Sequence, residues 1–311
     1  VRGLGDLEAV ADIRIADPMC PERWPGLLRA PDAWLDFESA AGSALVPLGA
    51  VAEIRRGITS GANDVFYLER SRAAQLGIEA EVLAPLVRSP REQGAESIAI
   101  DPGTTPSVAL TMPAVADPGI RFPKAWDYLS GHLGAAERPT LRARSPWWSL
   151  PKPSSRLFLT KAYASRFVQR LAPEPVVADQ RVYALTPREG VDVEVLAAIL
   201  NSTFTALALE SLGRASLGQG ALEWTVGDAK SLPIIDPRIA IDQREPIAAA
   251  LRTLATRPIG EVAAEADALD RRALDRAVAR AGGVGDIELE SLHAGLCGSV
   301  ARRQRKAGSA K

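Results

Sequence analysis

Residues 192–213, DVEVLAAILNSTFTALALESLG, limit what this chain can fold into more than any other stretch. At 3.6 residues per turn, Val193, Leu196, Ala197, Leu200, Phe204, Leu207 and Ala208 fall near one face, and Gly213 is a natural stop. One long amphipathic helix is therefore expected, and something must cover its apolar side. Upstream, between residues 45 and 238, short β-rich runs (VAEIRR, DVFYL, ESIAI, RLFLTK, VVADQRVYAL) alternate with Pro, Gly and Ser punctuation. From residue 239 onward the pattern becomes helical. DQREPIAAALRTLA and IGEVAAEADALDRRALDRAVARAGG are rich in alanine, Asp267 stands four residues before Arg271 for an i,i+4 pair, and Gly282 and Gly283 mark an end. The predicted fold class is α+β, a mixed β-sheet domain over residues 45–238 followed by a C-terminal helical segment over 239–311. Residues 1–44, with their Pro, Trp and acidic residues, read as an approach segment.

Charge is distributed less evenly than its total suggests. Lys and Arg number 37 against 38 Asp and Glu, for a net charge of -1. Yet residues 138–170 carry Arg138, Arg142, Arg144, Lys152, Arg156, Lys161, Arg166 and Arg170 without one acid, interleaved with Trp147, Trp148, Phe158, Tyr163 and Phe167. Cations that displace phosphate counterions, alternating with rings that stack on bases, are the footprint of a nucleic-acid surface. The same run also fits a solvated loop whose tryptophans anchor a core. A second polar element is EIRRGITSGANDVFYL, residues 53–68, which reads as a strand, a loop of small polar residues and a second strand. Arg55, Arg56 and Asn63 suit bidentate contact with base edges, while Thr59 and Ser60 suit phosphate. A tight β-turn, with Gly57 and Gly61 taking unusual backbone angles, describes this stretch equally well.

Signals of catalysis are weak. His132 and His293 lie far apart, with no HExxH and no Ser/His/Asp spacing, and GRASLGQG (213–220) lacks the Lys-Ser/Thr of a phosphate loop. Cys20 and Cys297 form no CxxC, so neither a disulfide framework nor a metal site is expected. No run approaches the roughly 18–20 apolar residues of a membrane helix, and the acidic N-terminus does not read as a signal peptide; a cytoplasmic address is the expectation. A start at Val1, straight into sequence of mid-domain texture, reads as a fragment or half of a split protein.

Taken in order, LVPLGAVAEIRRGITSGANDVFYL, VLAPLVRSPRE, the WW after an Arg-rich stretch, and AILNSTFTALALESLGRASLGQGALEWTVGDAKSLPIID resemble a known region. It is the C-terminal target-recognition (specificity) region of adenine-specific (N-6) DNA methyltransferases of the Taq and type IIG restriction-modification kind. The similarity runs from about Trp24 to the C-terminus, and its opening also resembles a recognition domain of type I restriction specificity subunits. The resemblance implies a bacterial-defence module that reads double-stranded DNA and works with a methyltransferase catalytic module or subunit. In such enzymes that module binds S-adenosylmethionine and holds the flipped adenine with an Asn/Asp-Pro-Pro-Tyr/Phe tetrapeptide. No Asn-Pro-Pro or Asp-Pro-Pro occurs in this chain, so the resemblance implies a non-catalytic part with no cofactor of its own.

Residue by residue, the resemblance implies DNA contacts at Arg55, Arg56, Thr59, Ser60 and Asn63, then at Arg88 and Arg91. Arg142, Arg144, Trp147 and Trp148 would lie toward DNA, Lys161 and Arg166 on phosphates, and Arg214 and Gln219 near a base edge. The C-terminal helices would pack on the catalytic module or cap this domain's own core, and the basic ARRQRK end would touch phosphate or form a solubilising tail. A different class of function stays open, a protein-interaction subunit whose basic aromatic run docks an acidic protein partner.

Overall fold

The computed structural model describes residues 29–89, 94–151, 155–215, 220–238, 241–284 and 288–309. Their strands are β1 (Leu45–Pro47), β2 (Ala52–Arg56), β3 (Tyr67–Glu69), β4 (Leu83–Val87), β5 (Ser107–Leu110), β6 (Ser155–Thr160), β7 (Ala162–Tyr163), β8 (Arg170–Ala178), β9 (Val182–Pro187), β10 (Arg214–Ala215), β11 (Leu222–Glu223) and β12 (Pro233–Ile235). Seven of them form one sheet in the order β2-β9-β6-β8-β4-β5-β3, in which only the β4–β8 pair is parallel. A three-stranded sheet, β10-β11-β7, and the β1–β12 pair complete the set. The helices that matter below are α1 (Asp32–Ala41), α2 (Asn63–Phe66), α3 (Pro123–Ser130), α4 (Pro139–Arg142), α5 (Val193–Leu200), α6 (Thr203–Leu212), α7 (Val226–Ser231), α8 (Arg244–Leu254), α9 (Leu269–Ala281) and α10 (Leu289–Ser309). The architecture is α+β.

Strand alternation divides the interior. On β6, Leu157 and Leu159 enter a large core shared with α1, α5, α6, α8, α9 and α10, whereas Phe158 joins Val87, Val176 and Val182 in a small core. A further core gathers around β3, β4, β5 and α3 and includes Phe66, Leu110, Leu129 and Leu141. Residues on both sides of the 44/45 and 238/239 positions feed the large core: Phe37 of α1 stacks on Phe204 of α6 with ring centroids 4.5 Å apart, and Leu274, Leu292 and Val300 lie in the same cluster. Burying each such side chain contributes roughly 1.5–3 kcal/mol.

Several expectations from the sequence need correction. The single helix over 192–213 is two helices bent by 59°. Asn201 ends the first by donating Nδ2 to the carbonyls of Ala197 (2.8 Å) and Gln169 (2.9 Å), and Ser202 caps the second. With the axis broken, one apolar face no longer applies, and every residue from Val195 to Leu200 is buried. The helix expected after Ile259 likewise breaks between a one-turn piece, Val262–Glu265, and α9. Asp267 and Arg271 therefore do not share a helix face, and Arg271 pairs with Glu265 at 3.3 Å while Asp267 takes Arg272 at 3.0 Å. Gly282 does end α9, followed by Gly283 at a φ of +69°. DVFYL starts as a helical turn before β3, and ESIAI contributes only the isolated bridge between Ala99 and Leu171. Among the described residues no single helix is long and apolar enough to cross a membrane.

Candidate nucleic-acid interface

β2 and β3 stand at opposite ends of the seven-strand order, so the segment between them closes no hairpin. Instead it laces onto the turn between β8 and β9. Gly57 N donates to the Val182 carbonyl (3.1 Å), Ile58 N to that of Ala178 (2.7 Å), and Gln180 N returns a bond to the Ile58 carbonyl (3.1 Å). The approach is close enough to demand glycine, since a Cβ on Gly57 would lie 2.2 Å from the Asp179 carbonyl oxygen. Asp179 itself is buried, and its Oδ1 accepts from Arg181 N (3.1 Å) and Nε (2.7 Å), which fixes the turn.

Beneath the loop lies Arg144. Its Nη2 donates to the carbonyls of Thr59 and Ser60, both at 3.1 Å, and its guanidinium sits 5.7 Å from the centre of the Phe66 ring. Burial pulls its pKa below the ordinary arginine value. Arg144 therefore supports the loop from below. Ser60 is also interior, with its hydroxyl on the Asn63 side chain and on Ala62 N. Trp147 and Trp148 pack against the core around β3, β4, β5 and α3, edge-on to Phe66, Trp126 and each other. Ser60 is thus buried, while Arg144, Trp147 and Trp148 are half-buried and engaged by packing and main-chain bonds.

What remains at the surface is a small polar cap. Arg56 donates Nη2 to Gln180 Oε1 at 3.0 Å, Thr59 Oγ1 reaches the same oxygen at 3.4 Å, and Asn63 and Arg181 are exposed beside them. Arg55 turns the other way, as neighbours on a strand must, and pairs with Glu53 at 2.8 Å. Arg88 reaches over the Tyr67 ring, 5.8 Å from its centre. Burial pushes the Tyr67 phenol well above its usual range, with the Asp179 charge adding to it.

The basic run, free of acid in sequence, is not free of it in space. Asp64, from the loop, grips Arg138 with both oxygens at 2.5 and 2.7 Å, and that bond holds the Asp64 carboxyl below the usual carboxylate range. Glu137, one residue outside the run, pairs with Arg142 at 3.1 Å. Arg156 donates to the Ala172 carbonyl at 3.0 Å, and Arg170 is buried. Lys161 is half-buried, Arg166 is exposed, and Arg214 pairs with Asp228 at 2.8 Å; these three sit on or beside the β10-β11-β7 sheet. Tyr183, the register partner of Arg56, donates to the Trp224 carbonyl at 2.7 Å and ties that sheet to the loop. Arg91, Gln219 and Lys152 lie outside the described residues. Sequence reasoning missed Gln180 and Arg181, although DQR between two β-runs marks a turn.

The C-terminal ARRQRK end also differs from expectation. Arg303 is buried, donating to Glu210 at 2.9 Å and to the carbonyls of Gly220 and Ala164. Asp275, Thr203 and His293 meet in the interior, but His293 Nε2 faces both partners, so no proton relay forms. The cluster ties α6, α9 and α10 together. Among the described residues no cluster of three His, Cys, Asp or Glu can hold a metal ion.

Comparison with known proteins gives the family and the fold. The family described as the C-terminal domain of the type II methyltransferase M.Eco57I matches residues 36–269. The structure of the type IIG restriction endonuclease BpuSI shares the fold with a TM-score of 0.56 and 13% identity, over 97% of this chain and 38% of BpuSI. The chain thus spans well under half of that enzyme's length. The HsdS subunit from Thermoanaerobacter tengcongensis aligns at a TM-score of 0.34 and 16% identity, over 83% of this chain and 53% of that one. A component of a type I R-M system aligns at 0.34 and 15%, over 96% and 57%. No curated protein matches the chain. By a match that covers more than half of its residues, the chain belongs to the family of M.Eco57I-type C-terminal domains of type II methyltransferases.

Proposed function

We propose that this chain is a sequence-specific double-stranded DNA recognition module of an adenine-N-6 DNA methyltransferase in a restriction-modification system. Methyl transfer then belongs to another module, which binds S-adenosylmethionine and which this chain accompanies. The observation that carries the reading is the lacing of the 57–62 loop onto the 179–181 turn, which holds Arg56, Thr59, Asn63, Gln180 and Arg181 in one rigid exposed cap. Rigid donors and acceptors at a surface suit reading of base edges. The absence of Asn-Pro-Pro and Asp-Pro-Pro from the sequence supports a role without catalysis. Arg55, Arg88, Arg142, Lys161, Arg166 and Arg214 are assigned to phosphate, while Ser60, Arg144, Trp147 and Trp148 hold the loop in shape. Residues 45–238 carry the contacts, and the helices of 239–311 buttress them.

The test is retention of a randomised duplex pool by the purified chain at about 150 mM salt, near physiological ionic strength, followed by sequencing. An enriched word and a steep loss of binding with added salt are expected. Retention without any enriched word would remove the specific-recognition reading, and methyl transfer by the chain alone with S-adenosylmethionine would overturn the non-catalytic one.

A further inference from the structure

We infer that Arg56 and Gln180 act as a single base-reading unit and that the base they read is guanine; this rests on the function proposed above. A guanidinium only donates hydrogen bonds, so the group of Gln180 that meets Arg56 Nη2 at 3.0 Å has to be its oxygen. That contact settles which way the carboxamide is turned. Thr59 Oγ1 approaches the same oxygen at 3.4 Å, so both lone pairs of Oε1 are engaged from within the protein. Arg56 Nε also donates to the Gln180 carbonyl at 3.4 Å. Nε2 of Gln180 and Nη1 of Arg56 are left over, and no described residue accepts from either.

Glutamine ordinarily reads adenine, because its amide offers one donor and one acceptor to the N7 and N6 edge. Here the acceptor is spent on Arg56 and Thr59. The exposed edge of the pair presents donors alone, and the major-groove edge with two adjacent acceptors is guanine, at N7 and O6. Adenine places a donor against this edge, thymine a methyl group, and cytosine a donor. Rigidity makes the choice effective. The turn is held by the Gln180 N to Ile58 carbonyl bond, by Asp179 on Arg181, and by the contact at Gly57 that excludes any side chain.

The duplex-pool experiment tests this with Gln180→Ala and Gln180→Glu beside the parent chain, all checked for unchanged thermal melting. Expected is a parental word with an invariant guanine whose preference falls by about 10- to 100-fold at that position in both variants, while other positions keep theirs. Gln180→Glu retains a partner for Arg56 but turns an acceptor outward, and is expected to favour cytosine there. An unchanged word in both variants overturns the inference and leaves the recognition function standing. So does a uniform fall in retention with the word intact, which would place the pair on phosphate, and so does a change at an adenine position. A parental chain without any enriched word takes away the function and this inference together.

Discussion

The two arginine-rich ends of the molecule use the same side chain in opposite ways. Around the C-terminal helices, Arg271 and Arg303 meet the carboxylates of Glu265 and Glu210 in the interior, and half-buried Arg257 bridges Glu265 and Asp270 at 2.7 Å each. At the loop end, Arg56 meets a neutral amide, Arg144 meets backbone carbonyls, and the pairs of Arg138 and Arg142 lie at the surface. A buried guanidinium matched to a carboxylate has nothing left for a ligand. One that leans on a neutral oxygen keeps its charge and part of its donor fork. Local density of positive residues along the chain is blind to this difference, which lies in the partner.

The sharpest break of the comparison is Arg303→Met. With side-chain exposures of 6% and 4%, Arg303 and Glu210 are almost wholly interior, and removing one partner leaves a buried, uncompensated charge. The expected loss in urea unfolding is about 3–5 kcal/mol. Adding Glu210→Met to the same chain removes the orphaned carboxylate and recovers much of that loss, as replacement of a buried pair by apolar residues is often near neutral. If the single variant proves harmless, the C-terminal arginines are not structural, and the contrast between the two ends fails.

How much of this was legible in the sequence follows from the same contrast. Element type was readable where a period and its punctuation agree, as at Gly282 after α9 or in VAEIRR. It was misread where a side chain competes for the backbone, as Asn201 does between α5 and α6. The polar loop was locatable from its residues, but its role as a crossing was not, because β2 and β3 are neighbours in sequence and stand at opposite edges of the sheet. Gln180 could not be joined to Arg56 for that reason, since 124 residues separate them. The acid partner of the basic run was hidden in the same way, since Asp64 comes from 74 residues upstream of Arg138.

Gly57→Ala strikes the loop end alone. Its Cβ would meet the Asp179 and Ala178 carbonyl oxygens at 2.2 and 2.5 Å, and backbone on both sides has to move apart. Overpacking of this kind costs roughly 1–3 kcal/mol. Because the displaced segments carry Arg56 and Gln180, the enriched DNA word should blur across positions even where the melting temperature falls only modestly. A variant that loses stability but keeps a sharp word would show that the lacing serves folding and not reading.

A smaller effect appears on acidification. The Arg257 bond holds the Asp270 carboxyl below its ordinary range; burial pushes Glu265 up, but Arg257, Gly260 N and the charge of Arg271 pull it further down. Carboxylates lowered in the folded state contribute stability that is complete above their unfolded values, about 4, and that drains away as pH falls through the lower folded values. Melting temperature should therefore drop below about pH 4, and Arg257→Ala should flatten that part of the profile. An equally steep profile in the variant would assign the acid sensitivity to other carboxylates.

The smallest change in stability is expected at Arg142→Ala, and there the comparison is most finely drawn. Arg142 and Glu137 form an exposed pair, with side chains 70% and 80% accessible, and breaking such a pair shifts stability within about 0.5 kcal/mol. Its charge can act at a distance all the same. A phosphate contact at Arg142 would make the slope of log affinity against log salt shallower by about 1 in the variant, uniformly across DNA sequences. The Asp64 carboxylate holds Arg138 with both oxygens at 2.5 and 2.7 Å, whereas Arg142 meets one carboxylate oxygen of Glu137 at 3.1 Å and its main-chain carbonyl at 3.3 Å, so of the two arginines Arg142 exchanges its partner for phosphate at lower cost. An unchanged slope would return Arg142 to solvent and narrow the DNA face to the loops around Gln180.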